Sequence, residues 1–287
     1  MISIYKRELR AAFTTLSAPL FIALLLMVIG IYGSALHFKG GLPEFEYLIS
    51  NIAFVLLIIV PILTMRSFSE ERRSRTDQLL YALPLRSTDI VLGKYLALLT
   101  VFTIPVAIMC LWPPVLSMYG EVVMATAYTA ICGFFLLGAA LIAVGLFLSS
   151  LTENPLICAV LSFGIMLLAF LMPGIASLLS SAAGTAFTTF TVLIVILMCV
   201  LRAFTRSNWL AITVGVILEL SLGAVCLLDY TLLEGAAQTF LSAFYVFERL
   251  NNFIYGLFDL TGVVYYLSVI FLFTFFSVQN LDKRRWL

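Results

Sequence analysis

The sequence predicts an all-α fold: a polytopic membrane helical bundle of about eight transmembrane helices, with the N- and C-termini in the cytoplasm. Composition is the first observation, since 63% of the 287 residues are hydrophobic, only 11% are charged and the mean hydropathy is +1.13. A soluble protein carries about 25% charged residues. The lengths of the apolar runs and the positions of the basic residues are the other two observations.

The apolar runs are long enough to cross a bilayer, which requires about 20 residues in a helix. Eight candidate spans follow from this criterion: 16–36, 47–65, 92–117, 122–148, 156–178, 182–201, 209–228 and 262–278. Pro105, Pro113, Pro114 and Pro173 lie inside two of these spans, where proline is expected to kink or end a helix because it lacks a backbone donor. We treat residues 1–287 as a single transmembrane domain.

The distribution of basic residues supports eight spans independently of hydropathy. Basic residues accumulate in cytoplasmic segments of membrane proteins. With the N-terminus inside, 14 of the 16 lysines and arginines fall in cytoplasmic segments, and only Lys39 and Arg249 fall outside. A seven-span arrangement places Lys283 and its two following arginines outside. A six-span arrangement that omits 182–228 leaves two apolar runs unexplained.

Three segments are not predicted to span. Residues 1–15 place apolar side chains on one helical stripe and basic side chains elsewhere, which indicates an amphipathic helix at the membrane surface. Residues 66–91 form the longest cytoplasmic loop. Residues 229–261 interleave aromatic residues and leucines with acids, which is typical of short helices on the outer surface.

The sequence lacks the motifs of several enzyme classes. The single Gly-Lys pair, Gly93-Lys94, has Thr88 where a nucleotide-binding loop requires its first glycine, so the chain itself is not expected to hydrolyse ATP. The single histidine, His37, excludes the two-histidine zinc-protease signature. We predict no catalytic, cofactor-binding or metal-binding residues, no cofactor and no nucleic-acid partner.

The loop 66–91 contains a short segment with an exposed apolar side. Ser74 followed by Asp77 is typical of a helix N-terminus, and Pro84 is expected to end that helix. Leu79, Leu80 and Leu83 then lie on one side of about two turns. So short a helix is not stable alone and requires a membrane surface or a partner groove. A solvated linker with a chance group of leucines is the alternative.

The residues of this loop resemble a known family. The run Ser69-Glu-Glu-Arg-Arg-x-x-Thr-Asp-Gln-Leu-Leu, followed by Pro84 and Gly93-Lys94, resembles the coupling-helix region of exporter-type ABC permeases, particularly the branch of gliding-motility and copper-site-maturation permeases. Ser149-Ser-Leu-Thr-Glu-Asn154 resembles the shorter second cytoplasmic loop of that family, and 256–268 with 282–286 its last span and end. The resemblance covers nearly the whole chain, although six spans are usual and 182–228 looks like an inserted pair.

The resemblance implies a role and partners. The chain would be the permease subunit of a transporter in the cytoplasmic membrane, driven by a separate ABC ATP-binding subunit that docks at Thr76, Asp77, Leu79, Leu80 and Leu83. A second permease subunit, membrane lipid and an extracytoplasmic accessory protein are further expected partners. An ion-coupled secondary transporter and a non-transporting membrane scaffold are the alternatives.

Glu219 is the one acidic residue near the centre of a predicted span. A charged carboxylate at mid-membrane costs about 2.5–3.5 kcal/mol on insertion scales, so Glu219 is expected to face protein or water. Helix packing and a role in the translocation path are the two hypotheses for it.

Overall fold

A computed structural model describes residues 1–40, 44–76, 86–178, 183–205, 208–228 and 235–285. Within these ranges the chain forms helices and no strand. The α-helices are α1 Ile2–Thr14, α2 Ser17–Gly33, α3 Glu46–Ala53, α4 Leu56–Thr64, α5 Ser69–Arg73, α6 Ser87–Met109, α7 Trp112–Leu116, α8 Met124–Leu151, α9 Pro155–Leu178, α10 Ala183–Thr205, α11 Asn208–Leu228, α12 Ala236–Ser242, α13 Leu250–Ile254 and α14 Leu260–Arg285. A π-helical turn, Ser34–Lys39, continues α2.

Five helical segments within the described ranges are long and apolar enough to cross a membrane: Ser17–His37, Ser87–Leu116, Met124–Leu151, Pro155–Leu178 and Leu260–Arg284. A sixth candidate is the bent pair Glu46–Ala53 and Leu56–Arg73. The all-helical membrane fold is therefore confirmed. The predicted spans 182–201 and 209–228 coincide with α10 and α11, but the arrangement of eight spans stays a prediction.

The second candidate span is broken, which the sequence did not predict. The two parts of the pair meet at an angle of 57°. Phe54 and Val55 lie at the break, where Val55 N–H donates to the Ile52 carbonyl at 2.8 Å and Leu57 N–H to the Phe54 carbonyl at 3.1 Å. These are bonds to the third preceding residue, which tighten the chain and end a regular α-helix.

The prolines have different effects on their helices. Pro113 and Pro114 lie in the first turn of α7, where a missing N–H is tolerated, and the chain breaks just before them. Pro105 and Pro173 instead lie inside α6 and α9, which continue through them as helices. A helix end therefore occurs just before Pro113, at 110–111, whereas α6 and α9 do not end at Pro105 and Pro173.

Two compact units divide the chain. The first comprises residues 1–168 and 246–287, and the second comprises 169–245, so α9 extends from one into the other. In the first unit α8 is the central helix, because 78% of its most apolar stretch is buried, against 22% for α14. Helices α3, α4, α6, α13 and α14 pack against it.

A small residue on α8 permits one of these contacts. A methyl group at Gly145 would overlap the side chain of Thr64 on α4. Close approach at small residues is a general means of packing membrane helices, because lipid supplies no hydrophobic driving force between them.

The second unit is built on α10 and α11, which pack against each other, with α12 against α10. Ala186 of α10 and Ala237 of α12 are buried between Phe190 and Leu222. The rings of Phe190 and Phe240 meet edge to face, with their centroids 5.7 Å apart.

The predicted outer segment 229–261 contains, in its described part, two short helices, α12 and α13.

Candidate functional site

The predicted docking residues lie mostly outside the described part of the chain. Asp77, Leu79, Leu80 and Leu83 fall in 77–85, which the structure does not describe. Thr76 is the last described residue before them. It is exposed, and its hydroxyl donates to the carbonyl of Glu71 at 3.2 Å. The structure therefore describes only the segment that precedes the docking residues, up to Thr76.

Helix α5 is the core of that leading segment. Ser74, which the sequence suggested as the start of a helix, is instead the residue that ends α5, and its hydroxyl donates to the carbonyl of Glu70 at 2.8 Å. Arg75 then adopts a left-handed conformation, with φ of +55°. A non-glycine residue in this region reverses the chain direction at a helix end at some cost in strain. The docking residues consequently follow a fixed turn after α5.

The start of α5 is capped by a residue from a distant helix. The backbone N–H groups of Phe68 and Ser69 donate to Ser149 Oγ at 3.0 and 3.3 Å, and the Ser149 hydroxyl is 3.3 Å from the carbonyl of Met65. The first N–H groups of a helix lack partners within that helix, so an outside acceptor stabilises them. Ser149, near the end of α8, is fully buried and thereby attaches α5 to the central helix.

A charge cluster, defined here as Arg7, Glu8, Glu71 and Lys94, lies between α1, α5 and α6. Lys94 is only 1% exposed. Its Nζ lies 2.9 Å from Glu71 Oε2 and 3.1 Å from Glu8 Oε2, and it donates to the carbonyl of Ser67 at 2.8 Å. An ammonium group has three donors, and these three acceptors match them.

Arg7 completes the charge cluster by joining the same two carboxylates. Its Nη2 lies 2.6 Å from Glu8 Oε1 and 3.0 Å from Glu71 Oε1. Two cations thus face two anions, so the charges balance. Burial is the largest influence on Glu8 and by itself favours the neutral acid, but the nearby charges of Lys94 and Arg7 outweigh it and lower the pKa of Glu8. The carboxylate of Glu8 is thereby favoured in its charged form.

The aromatic ring of Phe68 covers a further side of the ammonium. Lys94 Nζ lies 5.0 Å from the centroid of that ring. A cation over an aromatic face is attracted to it, and the attraction increases when water is excluded. Lys94 therefore contacts the backbone and two side chains of the segment 67–71.

Helix α1 is held on α6 by contacts that are independent of these charges. Ile4 is buried against Gly93, where a methyl group would come within 3.0 Å of Ile4 Cγ2. The hydroxyls of Tyr5 and Thr100 lie 3.1 Å apart. The apolar stripe predicted for 1–15 is therefore partly used in packing against protein.

A cavity of about 390 Å³ lies beside the charge cluster. Its walls come from α1, from the segment 63–76 and from α6, and they include Ala11, Arg66 and Ala97. Among the described residues no group of His, Cys, Asp and Glu side chains could hold a metal ion. The arrangement is suited to holding three segments together.

The ends of α8 and α14 meet the start of α6 through further polar contacts. Asn280 Nδ2 donates to the carbonyl of Ser150 at 2.6 Å, and Arg284 Nη2 to the carbonyl of Leu151 at 3.2 Å. Ser87 at the start of α6 donates to Asp282. These bonds attach the last helix of the chain to the helices that carry Lys94 and Ser149.

Glu219, the other predicted site residue, lies in the second unit. It is partly buried on α11, and its Oε1 accepts a hydrogen bond from the Thr191 hydroxyl of α10 at 2.9 Å. The contact is of the kind expected for helix packing. It does not test a role in a translocation path.

The charge cluster was not predicted from the sequence, although one signal was present. Lys94 is a lysine within the predicted span 92–117, and a charged residue inside a span usually has a partner and a function. From the sequence, Lys94 was assigned only to the group of basic residues on the cytoplasmic side, and no partner was predicted for it. No pattern in the sequence pairs it with Glu8 or Glu71.

The chain matches a known family over more than half of its length. The family described as ABC-2 family transporter protein matches residues 44–228, a range that includes α5, Lys94, Ser149 and both helices of the predicted inserted pair. No curated protein matches the chain. Since the match covers more than half of the chain, and the helices are those of a multi-pass membrane protein, the chain belongs to the ABC-2 transporter family and is a permease of the ABC transporter type.

Proposed function

We propose that this permease moves a substrate across the cytoplasmic membrane, using ATP hydrolysis in a separate ABC ATP-binding subunit. Membership of the ABC-2 family supports this role, since a permease of that family implies an ATP-binding partner. The single structural observation that carries the proposal is the attachment of α5 to three helices, through Lys94 and Ser149. A partner that displaces the segment after α5 would displace those helices with it.

The ATP-binding subunit docks at Thr76, Asp77, Leu79, Leu80 and Leu83. The leucines need a cover because a helix of about two turns with an apolar side is not stable in water. Thr76 is exposed at the end of the fixed turn, which supports access by a partner.

Eight spans with both termini in the cytoplasm fit this role, with 1–15 at the inner surface, 66–91 as the docking loop and 229–261 outside. The polar contacts of α1, α5, α6, α8 and α14 support the arrangement. Lys94 and Ser87 lie seven residues apart on α6, about 10 Å along a helix, and they contact α1 and the end of α14 respectively. The two ends of the chain therefore approach the same end of α6.

Similarity to the gliding-motility and copper-site-maturation branch remains part of this proposal, as do a second permease subunit, surrounding lipid and an extracytoplasmic accessory protein. The docking loop carries the resemblance to that branch. A second permease is expected because two ATP-binding subunits act on two membrane subunits in transporters of this kind.

Co-purification tests the proposal. Leu79→Asp with Leu80→Asp places two carboxylates in an apolar contact, where burying each leucine contributes about 1.5–3 kcal/mol. The double variant should lose the ATP-binding subunit and the ATP hydrolysis that depends on the permease, while still inserting in the membrane. Arg73→Ser with Arg75→Ser is a matched control in the same loop. Normal co-purification and hydrolysis by the double aspartate variant would exclude docking at this segment.

A further inference from the structure

We propose that Lys94 is a positioning residue that locks the N-terminal helix α1 to the docking loop, so that α1 and α5 move as one body when the ATP-binding subunit acts. The proposal rests on the docking function proposed above. It adds a mechanical role for α1, which carries none of the proposed docking residues.

Lys94 joins three separate segments of the chain to α6. Its ammonium contacts Glu8 of α1, Glu71 of α5 and the carbonyl of Ser67, and it belongs to α6 itself. Because its three donors match these three acceptors, losing any one of them leaves a buried donor without a partner.

Helices α1 and α5 contact each other through charged side chains. Arg7 bridges Glu8 and Glu71, and Lys94 bridges the same pair from the other side. Neutralising Glu71 therefore removes the charge attraction to both Lys94 and Arg7, and a glutamine there turns an amide NH2 donor towards one of the two cations. What remains is the contact of α1 with α6, through Ile4, Tyr5 and the ion pair of Glu8 with Lys94, and none of these contacts involves α5.

A neighbouring ion pair in the same loop is neither buried nor shared between helices. Glu70 lies 4.0 Å from Arg66, and both side chains are about half exposed. Exposed ion pairs of this kind contribute little to stability. Removing one partner of a buried pair, by contrast, leaves an uncompensated buried charge and is strongly destabilising. Glu70→Gln and Glu71→Gln make the same chemical change at adjacent positions, so their comparison isolates the lock.

The experiment measures the distance between spin labels at positions 10 and 73, in a variant whose native cysteines are serine. Both positions are exposed, one on α1 and the other on α5. The distance is measured in the permease alone and in its complex with the ATP-binding subunit, without nucleotide and with ATP trapped. For the parent and for Glu70→Gln we expect a narrow distribution of label-to-label distances that is the same in all of these states. A broad distribution that changes with nucleotide is expected for Glu71→Gln and for Lys94→Met.

Hydrolysis of ATP by the complex gives a second readout. Glu71→Gln and Lys94→Met should lower the permease-dependent rate by about fivefold or more, the usual range of coupling between sites, at unchanged KM for ATP. Because both act on one contact, the double variant Lys94→Met with Glu71→Gln should be no worse than the poorer single variant. Glu70→Gln should retain the full rate.

The outcomes separate this inference from the docking proposal. A parent distance that changes with nucleotide, or a Glu71→Gln distribution as narrow as that of Glu70→Gln, overturns the lock. If Glu71→Gln does not fold, Lys94→Met gives the same comparison. If the ATP-binding subunit does not bind the parent permease, docking fails, while the distances in the permease alone still support or overturn the rigid attachment of α1 to α5.

Discussion

Lys94 Nζ lies 2.9 Å from Glu71 Oε2, and this contact joins a nearly fully buried residue of α6 to the short helix that precedes the docking segment. Glu8 of α1 meets the same ammonium from the N-terminal end of the chain. The two carboxylates share both Lys94 and Arg7, so neither one can be removed without disturbing the other.

Lys94→Met should lower the thermal stability of the purified permease. The change retains most of the side-chain volume but leaves Glu8 and Glu71 facing each other with Arg7 alone, and breaking a buried ion pair costs about 3–5 kcal/mol. Thermal unfolding in detergent measures the effect. Lys6→Met, on the exposed side of α1, is the control and should change little. Equal unfolding temperatures for the two variants would contradict the burial of this charge.

Acidification should weaken the charge cluster through Glu8. The pKa of Glu8 is lowered in the folded state, so its contribution to stability is fully present above the ordinary pKa of about 4.5 and is lost as the pH falls through the lowered value. Below about pH 4.5 the parent should therefore lose more stability than Glu8→Gln, which has no carboxyl to protonate. Unfolding temperatures across this range, compared with those of Glu70→Gln, measure the difference. Parallel curves for the parent and Glu8→Gln would refute the assignment.

Ser149→Ala should loosen α5. The change removes the acceptor for the N–H groups of Phe68 and Ser69, and losing such a cap costs about 0.5–2 kcal/mol. Amide hydrogen exchange of residues 66–74 should accelerate, while exchange in α8 outside its last turn should not. Ser117→Ala, which removes only a local bond to the carbonyl of Pro114, is the matched control. Unchanged exchange in Ser149→Ala would show that α5 is held by the charge cluster alone.

Glu219→Gln should retain the contact between α10 and α11, because an amide oxygen can still accept the Thr191 hydroxyl. Glu219→Leu and Thr191→Val should each destabilise the permease by about 0.6 kcal/mol, the average for hydrogen bonds between membrane helices. Thermal unfolding compares the three variants, and a transport assay adds the functional outcome. Normal transport by Glu219→Gln would limit this residue to helix packing, and loss of transport without loss of stability would favour the translocation path.

Labelling of single cysteines tests the topology. In a variant without native cysteines, an impermeant reagent added outside should modify a cysteine at position 234 but not one at position 75 or 283. The distribution of basic residues is the reason, since 14 of 16 lie in segments assigned to the cytoplasm. Modification of position 75 or 283 in intact cells would reverse the arrangement and remove the docking loop from the side where ATP is present.

The helical membrane fold and the position of most candidate spans could be predicted from the sequence, because burial in lipid requires long apolar runs that any hydropathy measure detects. The resemblance to ABC permeases was also visible in the sequence, and the family match supports it. The break at Phe54 and the continuity of α6 through Pro105 are seen only in the folded chain, because a linear pattern of apolar residues does not record where a helix bends or continues. The charge cluster was likewise decided by the tertiary structure. Arg7 and Glu71 are separated by 64 positions, and Ser149 and Phe68 by 81, so only the folded chain brings their side chains within hydrogen-bonding distance.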